Sequence, residues 1–132
     1  MDYKVDLNRE YIYIINDDLK MSKGKIASQV SHVAMILGVE SIYQFNTYDV
    51  PCISEDYEFT IGKSIVLKAS QEWMETILKK YPWLAHINDA GLTEVPAGSL
   101  TCIGFYVDPH EYGYATSWNR KLRELTKELK LV

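Results

Sequence analysis

The sequence is poor in the features that mark secreted, membrane-spanning or disulfide-rich proteins. It holds only two cysteines, Cys52 and Cys102, which cannot form a disulfide framework and favour a reducing compartment. No apolar run approaches the roughly 20 residues that a membrane span requires. The polar start, MDYKVDLNRE, lacks the apolar core of a secretion signal. We therefore expect a cytoplasmic protein that is not embedded in a membrane.

Several catalytic and metal-binding motifs are also missing. The chain has no Gly-rich phosphate loop and no nucleophile elbow. Its three histidines, His32, His86 and His110, lie far apart in the sequence, without the spacing of metal ligands. Cys102 lies in an apolar run, where a packed thiol is expected rather than an activated thiolate. These absences exclude the commoner metal, phosphate-loop and nucleophile chemistries.

The composition is that of one globular domain covering residues 1–132. Hydrophobic residues make up 47% of the chain and charged residues 24%, which is enough apolar material for a packed core. The formal net charge of −4 argues against a protein coated in positive charge for non-specific nucleic-acid binding. A local basic site is still compatible with this balance.

Apolar residues alternate between strand-like runs and helix-like stripes. The strand-like runs, short and rich in β-branched or aromatic residues, cover residues 11–15, 64–68, 84–88 and 100–107. Helical stripes begin at Ile26, Trp73 and Trp118, and Gly38 and Pro82 are expected to end the first two. The first ten residues read as a loose lead-in. This order predicts an α/β fold: a small mixed sheet of about four strands with helices on both faces.

The start of the first helix carries an unusual amount of positive charge. Lys20, Lys23 and Lys25 crowd its first turn, where the helix dipole already disfavours cations. Ser22 is a candidate N-cap, and Gly24 would let an anion approach the backbone closely. The pattern indicates either an anion-binding site or three solvated lysines.

A second stripe runs along the same helix. Lys25, Gln29 and His32 are spaced so that they fall on one flank, beside the apolar stripe. Lys25 and Gln29 could therefore share a cleft with a molecule bound at the helix start. The alternatives are a half-buried structural histidine and a hydrogen-bonded supporting glutamine.

The loop after the third strand supplies the other candidate residues. Asp89 follows that strand directly, and Thr93 and Thr101 come soon after it. Ligand crevices of α/β sheets lie beyond the carboxyl ends of the strands, so we expect Asp89 to meet Lys25 there. An ionised Asp89 could orient or deprotonate water; the alternative is an aspartate that only holds a turn.

Two segments carry a family resemblance. DLKMSKGKIASQVSH (residues 18–32) and DAGLTEVPAGSLTCIG (residues 89–104) closely resemble the signature blocks of the peptidyl-tRNA hydrolase 2 family, the type found in archaea and eukaryotes. The resemblance implies a mixed four-stranded sheet, usually in a homodimer. It also implies hydrolysis of the ester joining a peptide to the 3′ ribose of tRNA, without a metal or organic cofactor.

The resemblance also assigns residues. Those matching the family's active-site positions are Lys25, Asp89, Thr93 and Thr101. Gln29 and His32 fall on further motif positions, and we expect both, with Lys20, Lys23 and Gly24, to contact the tRNA substrate. In this reading Lys25 stabilises charge on the ester oxygen or holds a nearby phosphate, Asp89 positions the attacking water, and the threonines hold water or ribose.

Some positions depart from the family pattern. Asn16 stands where an arginine is common, so one phosphate contact is missing, and Ser22 replaces a usual glycine. The aromatic stretch 105–118 is longer than typical, and its rings either stack on the tRNA end or pack on one another. These departures leave two alternatives: a catalytically inactive tRNA- or protein-binding member of the same fold, and an esterase for small molecules.

Overall fold

The computed structural model describes residues 3–45, 51–53, 59–91, 94–108 and 114–132. The helices are α1 (Lys23–Ile42), α2 (Gln71–Lys80) and α3 (Tyr114–Thr126). The strands are β1 (Tyr3–Asn16), β2 (Tyr43–Phe45), β3 (Pro51–Ile53), β4 (Phe59–Ala69), β5 (Ala85–Asn88), β6 (Leu100–Val107) and β7 (Lys130–Leu131). No helix in this part of the chain combines the length and apolar character needed to cross a membrane.

One mixed sheet carries the fold, with strand order β5-β6-β1-β4-β7. β1 and β4 are parallel, whereas β6 is antiparallel to both β1 and β5, so β5 runs in the direction of β1. β2 and β3 pair separately. The predicted α/β class and mixed sheet are confirmed, although the short β7 adds a fifth strand to the four expected.

Helices cover both faces of the sheet, as predicted. Because side chains of a strand point alternately to opposite faces, β1 contributes to two cores. Ile12 and Ile14 pack in the core under α2 and α3. Tyr13 and Ile15 pack on the other face, against α1. This arrangement fixes the start of α1 over the ends of β1 and β5.

Some element boundaries differ from expectation. β1 begins at Tyr3 and β4 at Phe59, earlier than the predicted runs 11–15 and 64–68, because the first residues of the two strands pair before a register irregularity between Val5 and Glu10. The lead-in was therefore predicted wrongly: its polar residues hid a strand that is stabilised by backbone pairing rather than by an apolar face. Gly38 does not end α1, which continues to Ile42. A glycine inside a helix costs only about 1 kcal/mol and does not force a stop.

Candidate active site

The first turn of α1 and the turn after β5 meet at an ion pair. Lys25 Nζ lies 2.7 Å from Asp89 Oδ1, and the two side chains are 9% and 11% exposed. They come from positions 64 residues apart in the chain. The structure thus brings together the two residues that the strand ends placed in one crevice.

The turn around Asp89 is held by its own backbone. The Asp89 N–H donates to the Ser99 carbonyl at 2.9 Å, and its carbonyl accepts from the Gly98 N–H at 2.6 Å. Asp89 Oδ2 accepts from the Gly91 N–H at 2.8 Å. Gly91 and Gly98 have φ of +77° and +82°, the left-handed region that favours glycine. One carboxylate oxygen therefore holds the turn, and the other faces Lys25.

The surroundings of Asp89 keep its carboxyl ionised. The hydrogen bond from Lys25, followed by the bond from the Gly91 N–H, holds the pKa of Asp89 below its usual range. Coulombic interactions with Lys25 and His32 also lower the pKa of Asp89. The site thus presents a fixed carboxylate beside an ammonium group, which can orient water and stabilise developing negative charge.

The positive charge at the start of α1 is compensated by a residue that sequence analysis missed. Ser22 begins the helix: its carbonyl accepts from the Ile26 N–H at 2.9 Å and its Oγ from the Lys25 N–H at 3.3 Å. The Glu94 carboxylate, from the loop after β5, accepts from the Ser22 N–H at 2.8 Å and also from Ser22 Oγ. These bonds lower the pKa of Glu94. Two features of the sequence could have indicated this contact: the acidic Glu94 in the loop after β5, and a first turn of α1 that has no acidic residue of its own.

The remaining residues of the helix start form a cationic rim. Lys20 has φ of 48°, and its exposed Nζ lies 3.3 Å from Asp17 Oδ2. Lys23 is exposed in the first turn of α1. A Cβ added to Gly24 would meet no heavy atom within 4 Å, so the space beside this backbone is open. The rim is accessible to an anionic partner.

Gln29 and Thr101 form a buried pair behind the rim. Thr101 Oγ1 donates to Gln29 Oε1 at 2.5 Å, and the two residues are 0% and 2% exposed. Thr101 Oγ1 also lies 3.3 Å from the Ile87 carbonyl. Since Gln29 is one turn beyond Lys25, this bond ties the flank of α1 that carries Lys25 to β6. The contacts of Gln29 are therefore those of a hydrogen-bonded supporting residue.

The last predicted residues have different positions. His32 is exposed, with Nε2 3.3 Å from Ser28 Oγ. Thr93 lies outside the described residues. Asn16 is fully buried: its amide donates to the Leu100 carbonyl at 2.9 Å and its Oδ1 accepts from the Asp18 N–H at 3.1 Å. Asn16 thus holds the end of β1 and makes no surface for a phosphate.

The aromatic stretch 105–118 is described only at its two ends, since residues 109–113 lie outside the described part. The Tyr106 ring lies 6.0 Å from that of Tyr11, and the Trp118 ring lies 5.8 Å from that of Tyr81. These two rings pack against the protein's own aromatic residues. Within the described ranges, no three His, Cys, Asp or Glu side chains form a group that could hold a metal ion.

Comparison with known proteins places this geometry in a family. The profile of the peptidyl-tRNA hydrolase PTH2 family matches residues 10–132. A peptidyl-tRNA hydrolase of Staphylothermus marinus is 35% identical over 132 residues, covering 95% of this chain and 98% of the relative. One from Thermococcus sibiricus is 32% identical over 84% of this chain and 94% of the relative. The human mitochondrial peptidyl-tRNA hydrolase 2 is 33% identical over 74% of this chain and 55% of that protein. The chain belongs to the peptidyl-tRNA hydrolase PTH2 family.

Proposed function

We propose that this protein hydrolyses the ester bond between a peptide, or an N-blocked amino acid, and the 3′ ribose of tRNA, releasing free tRNA and peptide. Membership of the family and the names of its relatives support this activity. The observation that carries the proposal is the Lys25–Asp89 pair, 2.7 Å apart at a helix start with an accessible cationic rim. The alternative of an inactive binding member is not favoured, since both charged groups are present and in contact.

Asp89 is the residue that positions the attacking water. Its Oδ2 accepts only from the Gly91 N–H among the described groups, which leaves lone-pair capacity for a water proton. Because its pKa is held low, Asp89 is a weak base, and its main contribution is orientation and polarisation of the water. The water adds to the ester carbonyl carbon, the bond to the 3′ oxygen breaks, and the proton that the water loses ends on that oxygen.

Lys25 is the residue that stabilises negative charge on the ester carbonyl oxygen as water adds. Its ammonium has three N–H donors, and Asp89 uses one of them. The side chain is 9% exposed, so its charge acts in a partly desolvated site where electrostatic stabilisation is strong. Neighbouring backbone N–H groups at the start of α1 add partial positive charge.

Thr101 acts through other residues in this proposal. Because its side chain is fully buried and bonded to Gln29, it holds the flank of α1 that carries Lys25. Thr93 remains a predicted catalytic residue on the strength of its position in the DAGLTEVPAGS segment. It would hold the water or the terminal ribose.

The tRNA contacts are proposed for the cationic rim. Lys20 and Lys23 are exposed beside the open backbone of Gly24, and His32 is exposed on the Lys25 flank. Phosphates of the acceptor end would bind there by charge-assisted contacts with lysine and backbone N–H groups. We also propose, from the family resemblance, that the protein is a homodimer, which light scattering of the purified protein would test. From its cysteine usage we propose that it acts in the cytoplasm.

The activity is tested by turnover of N-acetyl-aminoacyl-tRNA with the enzyme at catalytic concentration. Wild type is expected to release the acetylated amino acid over many turnovers, and Lys25→Ala to lose about 10²-fold or more in kcat. Lys127→Ala, on the far side of the sheet, is the matched control. No turnover by wild type would overturn the proposed activity, whereas equal rates for wild type and Lys25→Ala would overturn the assigned role. Cleavage of simple esters with indifference to the tRNA body would favour a small-molecule esterase.

A further inference from the structure

Among the described residues, two polar contacts connect the loop after β5 to the start of α1. The first is the Lys25–Asp89 pair. The second is Glu94, whose carboxylate oxygens both accept hydrogen bonds from Ser22, one from the backbone N–H at 2.8 Å and one from Oγ. Among the described residues, the second contact reaches the start of α1 from the part of the loop beyond Asp89, next to Val95, which is buried in the core on the α1 face of the sheet.

The second contact lies where the helix needs it. α1 has no acidic residue in its first turn, although lysines stand there and its free N–H groups carry partial positive charge. The Glu94 carboxylate supplies the missing negative charge from outside the helix. A carboxylate bonded to backbone N–H at a helix start forms a strong, charge-assisted contact.

The base of the loop is closed independently of Glu94. Asp89 and Ser99 pair through their backbones, and the Gly98 N–H bonds to the Asp89 carbonyl. Removing the Glu94 carboxylate therefore leaves the turn and the buried Val95 in place and releases the loop from Ser22. What changes is the position of the loop relative to the Lys25 ammonium.

We propose that Glu94 is a positioning residue for the hydrolytic reaction. By bonding to Ser22 it holds the loop after β5 against the start of α1, so that Asp89 stays within hydrogen-bond distance of Lys25. This inference rests on the proposed function. In this role Glu94 acts through Ser22, to which both its oxygens are bonded, and not through contact with the substrate. Its effect is transmitted through the separation of Lys25 and Asp89.

Steady-state hydrolysis of N-acetyl-aminoacyl-tRNA tests the proposal with Glu94→Ala, Glu94→Gln and the control Glu124→Gln. Glu124 is an exposed glutamate of α3, paired with Lys127 on the other side of the sheet. For Glu94→Ala we expect kcat to fall about tenfold, because small displacements of reacting groups cost up to about 10²-fold, while KM stays within about threefold. For Glu94→Gln we expect partial recovery, since the amide oxygen still accepts one bond from Ser22.

The acid limb of the pH–rate profile separates positioning from general loss of structure. The Lys25 hydrogen bond lowers the pKa of Asp89, so losing that bond raises this pKa and moves the limb to higher pH. We expect this movement in Glu94→Ala and not in Glu94→Gln. A variant that merely folds less completely would lose rate at every pH without moving the limb.

Hydrogen exchange of the Ser22 amide gives a readout that does not depend on activity. Protection of this amide should fall in Glu94→Ala and persist in Glu124→Gln. Turnover by wild type in the same assay keeps the proposed function intact whatever the variants do. If Glu94→Ala keeps wild-type kcat and its acid limb while Ser22 loses protection, the positioning role is overturned, as it is if Ser22 protection is unchanged.

Discussion

Two ion pairs of nearly equal burial lie at opposite ends of β6 in the central sheet. Lys25 and Asp89 are 2.7 Å apart, with side chains 9% and 11% exposed. Arg9 and Asp108 are 3.3 Å apart, with side chains 8% and 11% exposed. Asp108 follows β6, whose last residues pair with the middle of β1, whereas Asp89 lies at the carboxyl end of β5.

Their surroundings differ more than their burial. The Arg9 guanidinium lies over two rings, 4.4 Å from the centre of Tyr106 and 5.3 Å from that of Tyr11. Its Nε is buried and has no hydrogen-bond partner among the described residues. Asp89, by contrast, sits on a glycine turn beside a helix start and exposed lysines. Burial and distance alone therefore do not distinguish the two pairs; the open, cationic surroundings of Lys25 and Asp89 are what supports them as the proposed reactive pair.

The largest difference between the two pairs is expected in catalysis. Asp89→Asn removes the negative charge that orients water and faces Lys25, while the amide oxygen can still accept from the Gly91 N–H. We expect kcat for peptidyl-tRNA to fall by about 10²-fold or more. Circular dichroism should show the fold retained. A rate within a few-fold of wild type would remove Asp89 from the mechanism.

The reverse outcome is expected at the other pair. Asp108→Asn leaves the Arg9 guanidinium buried without its counter-charge, and breaking such a pair typically costs about 3 kcal/mol or more. Urea unfolding should therefore show a lower free energy of unfolding. The rate per folded molecule should stay at the wild-type value. A loss of kcat without a loss of stability would mean that this pair, too, serves the reaction.

The two regions also differ in how far the sequence predicted them. Asp89 and Lys25 each follow closely on a strand predicted from its apolar run, and strand ends meet at one edge of an α/β sheet. The order of strands and helices was therefore enough to predict that Lys25 and Asp89 lie close together. The polar neighbours of Arg9 predict a loose lead-in instead of a strand. The strand forms because β1 pairs with β4, a partner distant in the sequence.

Glu94 was missed for a related reason. Its bond to Ser22 joins residues 72 positions apart, and nothing local distinguishes this glutamate from a solvated one. Local rules did predict the bounds of β6, because an apolar run reflects neighbouring residues. A tertiary contact such as Glu94–Ser22, which neither a local pattern nor the order of the strands indicates, is what the sequence did not reveal.

A smaller effect is expected from the support behind the catalytic pair. Thr101→Val leaves Gln29 Oε1 buried without its donor, which costs about 1–3 kcal/mol. We expect a lower unfolding midpoint in urea and a modest loss of kcat, as Gln29 shifts on α1. Thr101→Ser keeps the hydroxyl and should restore both. If the serine variant behaves like the valine variant, the lost methyl packing rather than the hydrogen bond explains the change.

The smallest expected effect concerns the rim around the reactive pair. Lys23 is exposed and touches none of the reacting groups, so Lys23→Ala should leave kcat unchanged and raise KM a few-fold through one lost phosphate contact. Because each neutralised phosphate releases counterions, the slope of log KM against log salt should fall by about 1 in this variant. Lys127→Ala, which lies beyond the sheet, should leave the slope at its wild-type value. Because the net charge of the chain is −4, the surface as a whole does not attract tRNA, and binding is expected to depend on the cationic rim. Equal salt slopes for wild type and Lys23→Ala would place the tRNA contacts elsewhere. The regions at the two ends of β6 would then differ only in their ion pairs.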